Sequence, residues 1–377
     1  MQTAPLPDHP QRTLPDAERI DWLRLIRSEN VGAVTFAALL RRYGSAAAAL
    51  AALPELARRG GREALRIATR ADAEREIEAT AKAGARLVAL GEPDYPAALP
   101  TIHDAPPLIA VLGRPDVAAD PARVVAIVGA RNASGVGARF ARTLAAELGS
   151  QGFIIASGLA RGIDGAAHAG ALATGTIALM AGGVDQPYPA ENRELYAQIA
   201  ERGLVIAEQP VGTEPHARHF PRRNRLVSGV SCGVVVVEAA LHSGSLITAR
   251  MALEQGREVF AVPGSPLDPR CKGSNNLLRE GAALVESAAD VTAALRGLRT
   301  LREPAGDSYR SVSAVTSEAE LGAGRARVRE LLGPSPLPVD EIIRQSRLTP
   351  ATVLTILLEL ELAGRLQRHP GNQVSLL

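Results

Sequence analysis

The first residue of this sequence that calls for a ligand is an arginine in a turn between a strand and a helix. Val124 to Gly137 reads VVAIVGARNASGVG, an apolar β-branched run, a glycine turn and the start of a helix. Arg131 stands in that turn and faces the positive end of the coming helix, which is unfavourable unless an anion shares the site. The bland reading is an arginine leaning into water. Gly129, Gly135 and Gly137 do not spell G-x-G-x-x-G, and no lysine sits where a P-loop needs one. A second group repeats the theme at Phe220-Pro221-Arg222-Arg223-Asn224-Arg225, where Pro221 suits the first turn of a helix and the arginines again oppose its dipole. Phe220 beside them, in a chain with 3% aromatic residues, suits a nucleobase stacked over a backbone held by charge.

Other loops offer backbone N–H groups and hydroxyls. Ser157-Gly158-Leu159-Ala160-Arg161-Gly162-Ile163-Asp164 and Ser243-Gly244-Ser245-Leu246-Ile247-Thr248 place glycines beside Ser157, Ser243, Ser245 and Thr248 at helix starts, which suits phosphate oxygens; ordinary N-capping is the alternative for each. Asp164 and His168, four apart on one helix face, are the acid and base that an enzyme would need, and Glu208 and Glu238 end strands where a base could act. Packing and a side-chain hydrogen bond explain the first pair as well. There is no metal-ligand cluster, no nucleophile with a partner at motif spacing, and no acidic residue after FIIAS to hold a ribose. No cofactor is called for, and a nucleotide-processing enzyme of the N-glycosidase or phosphoribohydrolase type is the secondary reading.

The elements that position these loops follow from hydrophobic patterning. From residue 124 the strands VVAIV, FIIAS, TIALMA, LVIAE, GVVVVEA, EVFAV and ALVES alternate with helical stretches, the pattern of βα units on a parallel sheet. Right-handed crossovers bring every strand C-terminus to one edge, where open α/β sheets bind ligands, so loops distant in sequence converge there. RLVAL and LIAVLG, on either side of a proline-rich stretch, add strands at the edge of that sheet. The expected fold is α/β, an extended Rossmann-like domain at 85–299 with a mostly parallel sheet. It is flanked by a small helical domain at 16–84 and a winged helix at 326–377. Residues 1–15 read as a disordered tail and 300–325 as a linker.

The helical domain is an amphipathic bundle, a structural or partner-binding module; its turn at Asn30 to Gly32 is like a helix-hairpin-helix but lacks G-x-G. In the winged helix the third helix, TPATVLTILLELELAG, carries Glu359 and Glu361 and no Lys or Arg, whereas a duplex reader needs cations facing phosphates. An accessory or protein-contact role is expected for it.

Composition bounds the partners. The 377 residues carry a formal charge of +2, so nucleic acid must be held by a local patch. Lys82 and Lys272 are the only lysines among 42 basic residues, so arginine by itself signals nothing and position decides. Cys232 and Cys271 fit no metal or disulfide spacing, and no apolar run reaches membrane length; a reducing cytoplasm and no membrane partner are expected.

In order and context, GARNAS, SGLARGIDGAAH, GGVDQPYPAEN, FPRRNR, VVEAALHSGSLITA and FAVPG resemble the DNA-processing protein A (DprA, or Smf) family. The resemblance covers roughly residues 85–290. It implies a homodimeric protein that binds and protects single-stranded DNA and loads the RecA recombinase during natural transformation, and it likens the N-terminal part to a sterile-alpha-motif-like domain. It implies DNA contacts at Arg131 and at the basic helix start after Phe220; with the loops read above, the expected DNA-binding set is Gly129, Arg131 and Ser134, Ser157, Gly158, Arg161 and Gly162, and Phe220, Arg222, Arg223, Asn224 and Arg225. Ser243, Gly244, Ser245 and Thr248 complete that set.

Overall fold

The structure, a computed structural model, describes residues 13–301, 318–369 and 371–377. Most of the expected tail, and residues 302–317 of the expected linker, lie outside the described residues. Helices α1 (Asp16–Arg27), α2 (Ala33–Tyr43), α3 (Ala46–Arg59) and α4 (Arg70–Lys82) form the N-terminal bundle. Their apolar faces close on Leu23, Leu25, Phe36, Leu39 and Leu53. Ser45 caps α3 through its side chain, and Thr69 with Asp72 makes a capping box on α4, which is why these helices start where they do.

The central domain comprises β1 (Arg86–Ala89), β2 (Leu108–Gly113), β3 (Val124–Val128), α5 (Gly135–Ser150), β4 (Ile154–Ser157), α6 (Ile163–Ala171), β5 (Thr176–Met180) and α7 (Arg193–Arg202). It continues through β6 (Leu204–Ala207), α8 (His219–Gly229), β7 (Gly233–Val236), α9 (Gly244–Glu254), β8 (Glu258–Ala261), α10 (Lys272–Arg279), β9 (Ala283–Leu284) and α11 (Ala288–Leu301). The nine-stranded sheet has the order β1-β2-β6-β5-β4-β3-β7-β8-β9. From β6 to β9 neighbours run parallel, and β1 and β2 add to the β6 edge antiparallel, so the proline-rich segment between them extends the sheet as its sequence implies.

Every residue of β3 is buried. Val124, Ala126 and Val128 join the core on one face and Val125 and Ile127 the core on the other. An unbroken apolar run is therefore the two faces of one strand, each covered by helices. The chain leaves β3 toward β4, β5 and β6, then returns to place β7 on the other side, so a switch point lies between β3 and β7.

The C-terminal domain has α12 (Glu318–Leu331), β10 (Leu337–Pro338), α13 (Val339–Ser346), α14 (Pro350–Leu362), β11 (Leu366–His369) and β12 (Gln373–Leu376), three helices with a small three-stranded sheet. Helix α12 begins at Glu318, earlier than the expected 326. The Ser, Ala, Glu and Gly composition read as linker also contains a good helix former at most positions from there on, and Leu321 is buried in the domain core.

Candidate nucleic-acid interface

At the C-terminal ends of β3, β4 and β5 the loops converge on a cavity of about 350 Å³ lined by Arg131, Gly158, Ala160, Arg161, Tyr188 and Phe220, with Asn132 and Pro189 at its border. The Arg131 guanidinium lies 4.6 Å from the Phe220 ring centroid, a cation–π contact, and it has no ion-pair partner among the described residues. Tyr188 also packs against Phe220, with centroids 5.8 Å apart and planes at 57°, and is half exposed. Two aromatic rings and a free cation thus share one wall. Tyr188 and Asn132 were not among the residues singled out from sequence. The usable signal for Tyr188 was its rarity, since the chain has five tyrosines and this one lies in a loop after a strand.

Helix α8 starts at His219, so Arg223 and Arg225 fall in its second turn, beyond the first-turn position read from Pro221. The helical period then sends its arginines in different directions. Arg222 is exposed and has no partner among the described residues. Arg223 is buried; its guanidinium lies against Gly158, where any Cβ would overlap it, and its Nε has no hydrogen-bond partner. Burial pulls the Arg223 pKa down to about 10, against the opposing pull of Asp164. Arg225 turns away from the cavity. Its Nη2 donates to Glu208 at 2.5 Å, its Nη1 donates to the carbonyl of Asp104 at 2.8 Å, and its Nε lies 3.2 Å from the Asp104 carboxylate. Burial alone would pull this guanidinium down, but the two carboxylates hold it above its ordinary value. The expectation that all these arginines line one site is therefore redirected: Arg131 and Arg222 are open cations, Arg223 lies beneath the floor, and Arg225 is a structural ion pair.

Two of the glycine turns at this edge, though not the Ser243–Thr248 turn, are filled by the chain's own carboxylates. Leu159 adopts a left-handed conformation (φ 56°), which turns the amides of Gly158 and Ala160 toward one point. There Asp164 Oδ2 accepts both, at 3.1 and 3.3 Å. Asn192 holds the same loop by donating to the carbonyls of Leu159 and Ala160. In the switch-point crevice Glu238 accepts from Ser134 N at 2.9 Å and from Ser134 Oγ at 2.5 Å, and it fills the space beside Gly137. Ser134 also caps α5 by accepting from Gly137 N. Gly129 is needed because a Cβ would meet Ile163 and the Glu238 carbonyl, and Gly162 (φ 74°) because one would meet the carbonyls of Ala130 and Arg131.

The remaining candidates serve packing or rim contacts. Ser157 is fully buried and donates to the Ile127 carbonyl. Arg161 pairs with Glu191 at the exposed rim. Ser243 caps α9 and its hydroxyl meets that of Ser245 at 2.7 Å, while Thr248 is buried. Asn224 donates to the Gly244 carbonyl, which joins α8 to the start of α9 beside the arginines.

The acid–base pair weighed for an enzyme is internal. Thr176 Oγ1 donates to the Ile155 carbonyl and so must accept from His168 Nδ1–H, 2.7 Å away. Burial drives the His168 pKa down to about 3, leaving a neutral ring. Burial raises the Asp164 pKa while Arg223 and the two amides oppose it. Among the described residues no group of His, Cys, Asp and Glu is arranged to hold a metal ion, and no helix is long and apolar enough to cross a membrane.

Comparison with known proteins gives this arrangement a family. The model for DNA recombination-mediator protein A matches residues 86–296. The chain belongs to that family. Its end domains match the DprA-like N-terminal HHH domain at 16–79 and the DprA winged helix domain at 312–372. The HHH match classes the bundle likened to a sterile alpha motif with helix-hairpin-helix domains. The chain is 36% identical to the putative DNA processing protein DprA of Mycobacterium tuberculosis over 375 residues, 93% of this chain and 92% of that one. It resembles the X-ray structure of DprA from Streptococcus pneumoniae with a TM-score of 0.55 and 40% identity, covering 60% of this chain and 77% of that one. The structure of DprA from Helicobacter pylori, reported for its single-stranded DNA binding mode, aligns with a TM-score of 0.52 and 29% identity over 58% of this chain and 97% of that one.

Proposed function

We propose that this DprA-family protein binds single-stranded DNA at the Arg131, Phe220 and Tyr188 wall and acts as a recombination mediator, protecting the strand and loading RecA on it. The observation that carries the reading is a guanidinium 4.6 Å from an aromatic ring at the sheet edge, where no carboxylate among the described residues forms an ion pair with it. A base has a stacking face there and a phosphate has a cation. Arg222 extends the charge along the strand, and the Arg223 cation beneath Gly158 adds positive potential under the floor. The relative from Helicobacter pylori supports the choice of single strand over duplex. A homodimer through the central domain and residence in the cytoplasm belong to the same proposal.

The protein is read as a binder without turnover. Asp164 and Glu238 each accept hydrogen bonds from backbone amides, and His168 is sealed in the core, so none of them faces a substrate with a proton to move. Fluorescence titration of a labelled oligodeoxythymidine across a salt series, beside an assay for base or phosphate release from nucleoside monophosphates and ATP, tests both halves. Tight, salt-dependent strand binding without release is expected. Release that disappears in Glu238→Gln would reverse the second half, and failure to bind the strand would end the first.

A further inference from the structure

The third helix of a winged helix is ordinarily the face offered to DNA. In this chain its C-terminal half is occupied, while Ala351 and Leu354 toward its start stay exposed. Helix α14 sends Val353, Ile356, Leu357 and Leu360 into its own domain, while Leu358 and Leu362, one turn apart on the other face, are buried in the core of the N-terminal bundle with Leu53 and Leu56 of α3. They are 3% and 0% exposed. The fit is close: a Cβ on Gly60, at the end of α3, would lie 2.1 Å from the Glu359 carbonyl oxygen and 2.7 Å from Ala363 Cβ.

Polar contacts fasten the same seam. The hairpin residue Asn30, left-handed with φ 59°, donates from Nδ2 to the Leu362 carbonyl at 3.0 Å and so satisfies the C-terminus of α14. Arg42 donates to Thr355 Oγ1 at 3.1 Å and Arg365 to the Gly61 carbonyl at 3.2 Å. The acidic residues that count against duplex reading are tied down as well. Glu359 takes both oxygens to Arg325 of α12, and Glu361 pairs with Arg368 of the wing. Arg325, Arg365 and Arg368 are therefore engaged within the protein, whereas Arg347, just before the helix, is exposed without a partner among the described residues.

We propose that the N-terminal bundle is the receptor for α14, so that the two end domains form a closed clasp in which the third helix is withheld from DNA. The helix-hairpin-helix turn serves as the seat of a helix C-terminus, and the winged helix works as the other jaw. Either domain must part from the other before α14 or the leucine-lined face of α3 can take a different partner.

The test places cysteines at the two ends of a contact made by a long side chain, Arg42→Cys with Thr355→Cys in the full chain, and follows internal cross-linking by a short bismaleimide, which spans the length the arginine filled, on a denaturing gel. The parent pair should cross-link readily. Gly60→Ala should slow cross-linking at least tenfold; Gly60 has ordinary helical angles (φ −72°, ψ −6°), so alanine suits the free bundle and is excluded only by α14. Leu358→Glu breaks the seam from the other side and should do the same, with amide-exchange protection of α13 retained as the sign that the winged helix stays folded. Equal cross-linking in the parent, Gly60→Ala and Leu358→Glu would overturn the clasp. So would a 20-base-pair duplex that slows cross-linking of the parent pair, because α14 would then be leaving the bundle for DNA.

Discussion

Two neighbouring parts of one sheet edge, made of the same kinds of residue, end in opposite states. At the switch point between β3 and β7 a glycine turn and a helix N-terminus face Glu238, and the carboxylate takes the place an external anion would have. One position along, over β4 and β5, Arg131, Tyr188 and Phe220 line an open cavity, and Arg131 has no ion-pair partner among the described residues. A cradle of amides is thus no evidence of a ligand until its own chain has been searched for a carboxylate that fills it. The same contrast recurs on α8 between Arg222, exposed and without a partner among the described residues, and Arg225, in a partly buried ion pair three residues on.

The sharpest way to break that contrast is Arg225→Ala. Removing one partner of a partly buried pair strands Glu208, so stability should fall by about 2–4 kcal/mol in urea unfolding, less than for a fully buried pair. The salt slope of strand binding, measured where the variant is folded, should stay as in the wild type; a flatter slope would return Arg225 to the binding site.

Loss of the stacking wall should be the next largest effect. Phe220→Ala is expected to weaken oligodeoxythymidine binding by about 1–3 kcal/mol if a base stacks there, with little change in salt slope. Arg131→Ala should do the reverse, flattening the dependence of log affinity on log salt by about 0.7 for each phosphate it neutralises, to a similar degree for different base compositions. Should both variants bind like the wild type, the strand lies elsewhere.

Near neutral pH the smallest effect is that of His168, and it grows as pH falls. The unfolded chain protonates His168 near its ordinary pKa of 6.5, whereas the folded chain resists until about 3. The unfolded state therefore binds more protons in that window, and stability should fall as pH drops through it. His168→Gln should shallow the acid limb of the stability curve measured by urea unfolding. An unchanged limb would mean that the buried ring does not control it.

Much of the architecture is legible in the sequence because it rests on local pattern. A run such as VVAIV, buried on both faces, announces a parallel strand, and turn residues between such runs announce βα units, so the sheet and its ligand-binding edge can be read directly. The lack of cations on the third helix is equally plain from its residues. What is not legible is the direction of each polar side chain within its loop. Tyr188 cannot be placed beside Phe220 from 32 residues away in sequence, and nothing local shows that Arg225 is spent on Glu208.

By itself, then, the sequence determined which segments form strands and helices, that the loops after the strands meet at one edge, and that this edge is rich in arginine and glycine. Those properties depend on the period of hydrophobicity and on backbone chemistry, which neighbouring residues carry together. Tertiary structure alone decided which cations remain free, that Asp164 and Glu238 close the amide cradles, and that α14 is buried between two domains. The reason is that charge neutralisation and desolvation are sums over groups brought together by folding: Ser134 and Glu238 are 104 residues apart, and Asn30 and Leu362 are 332 apart.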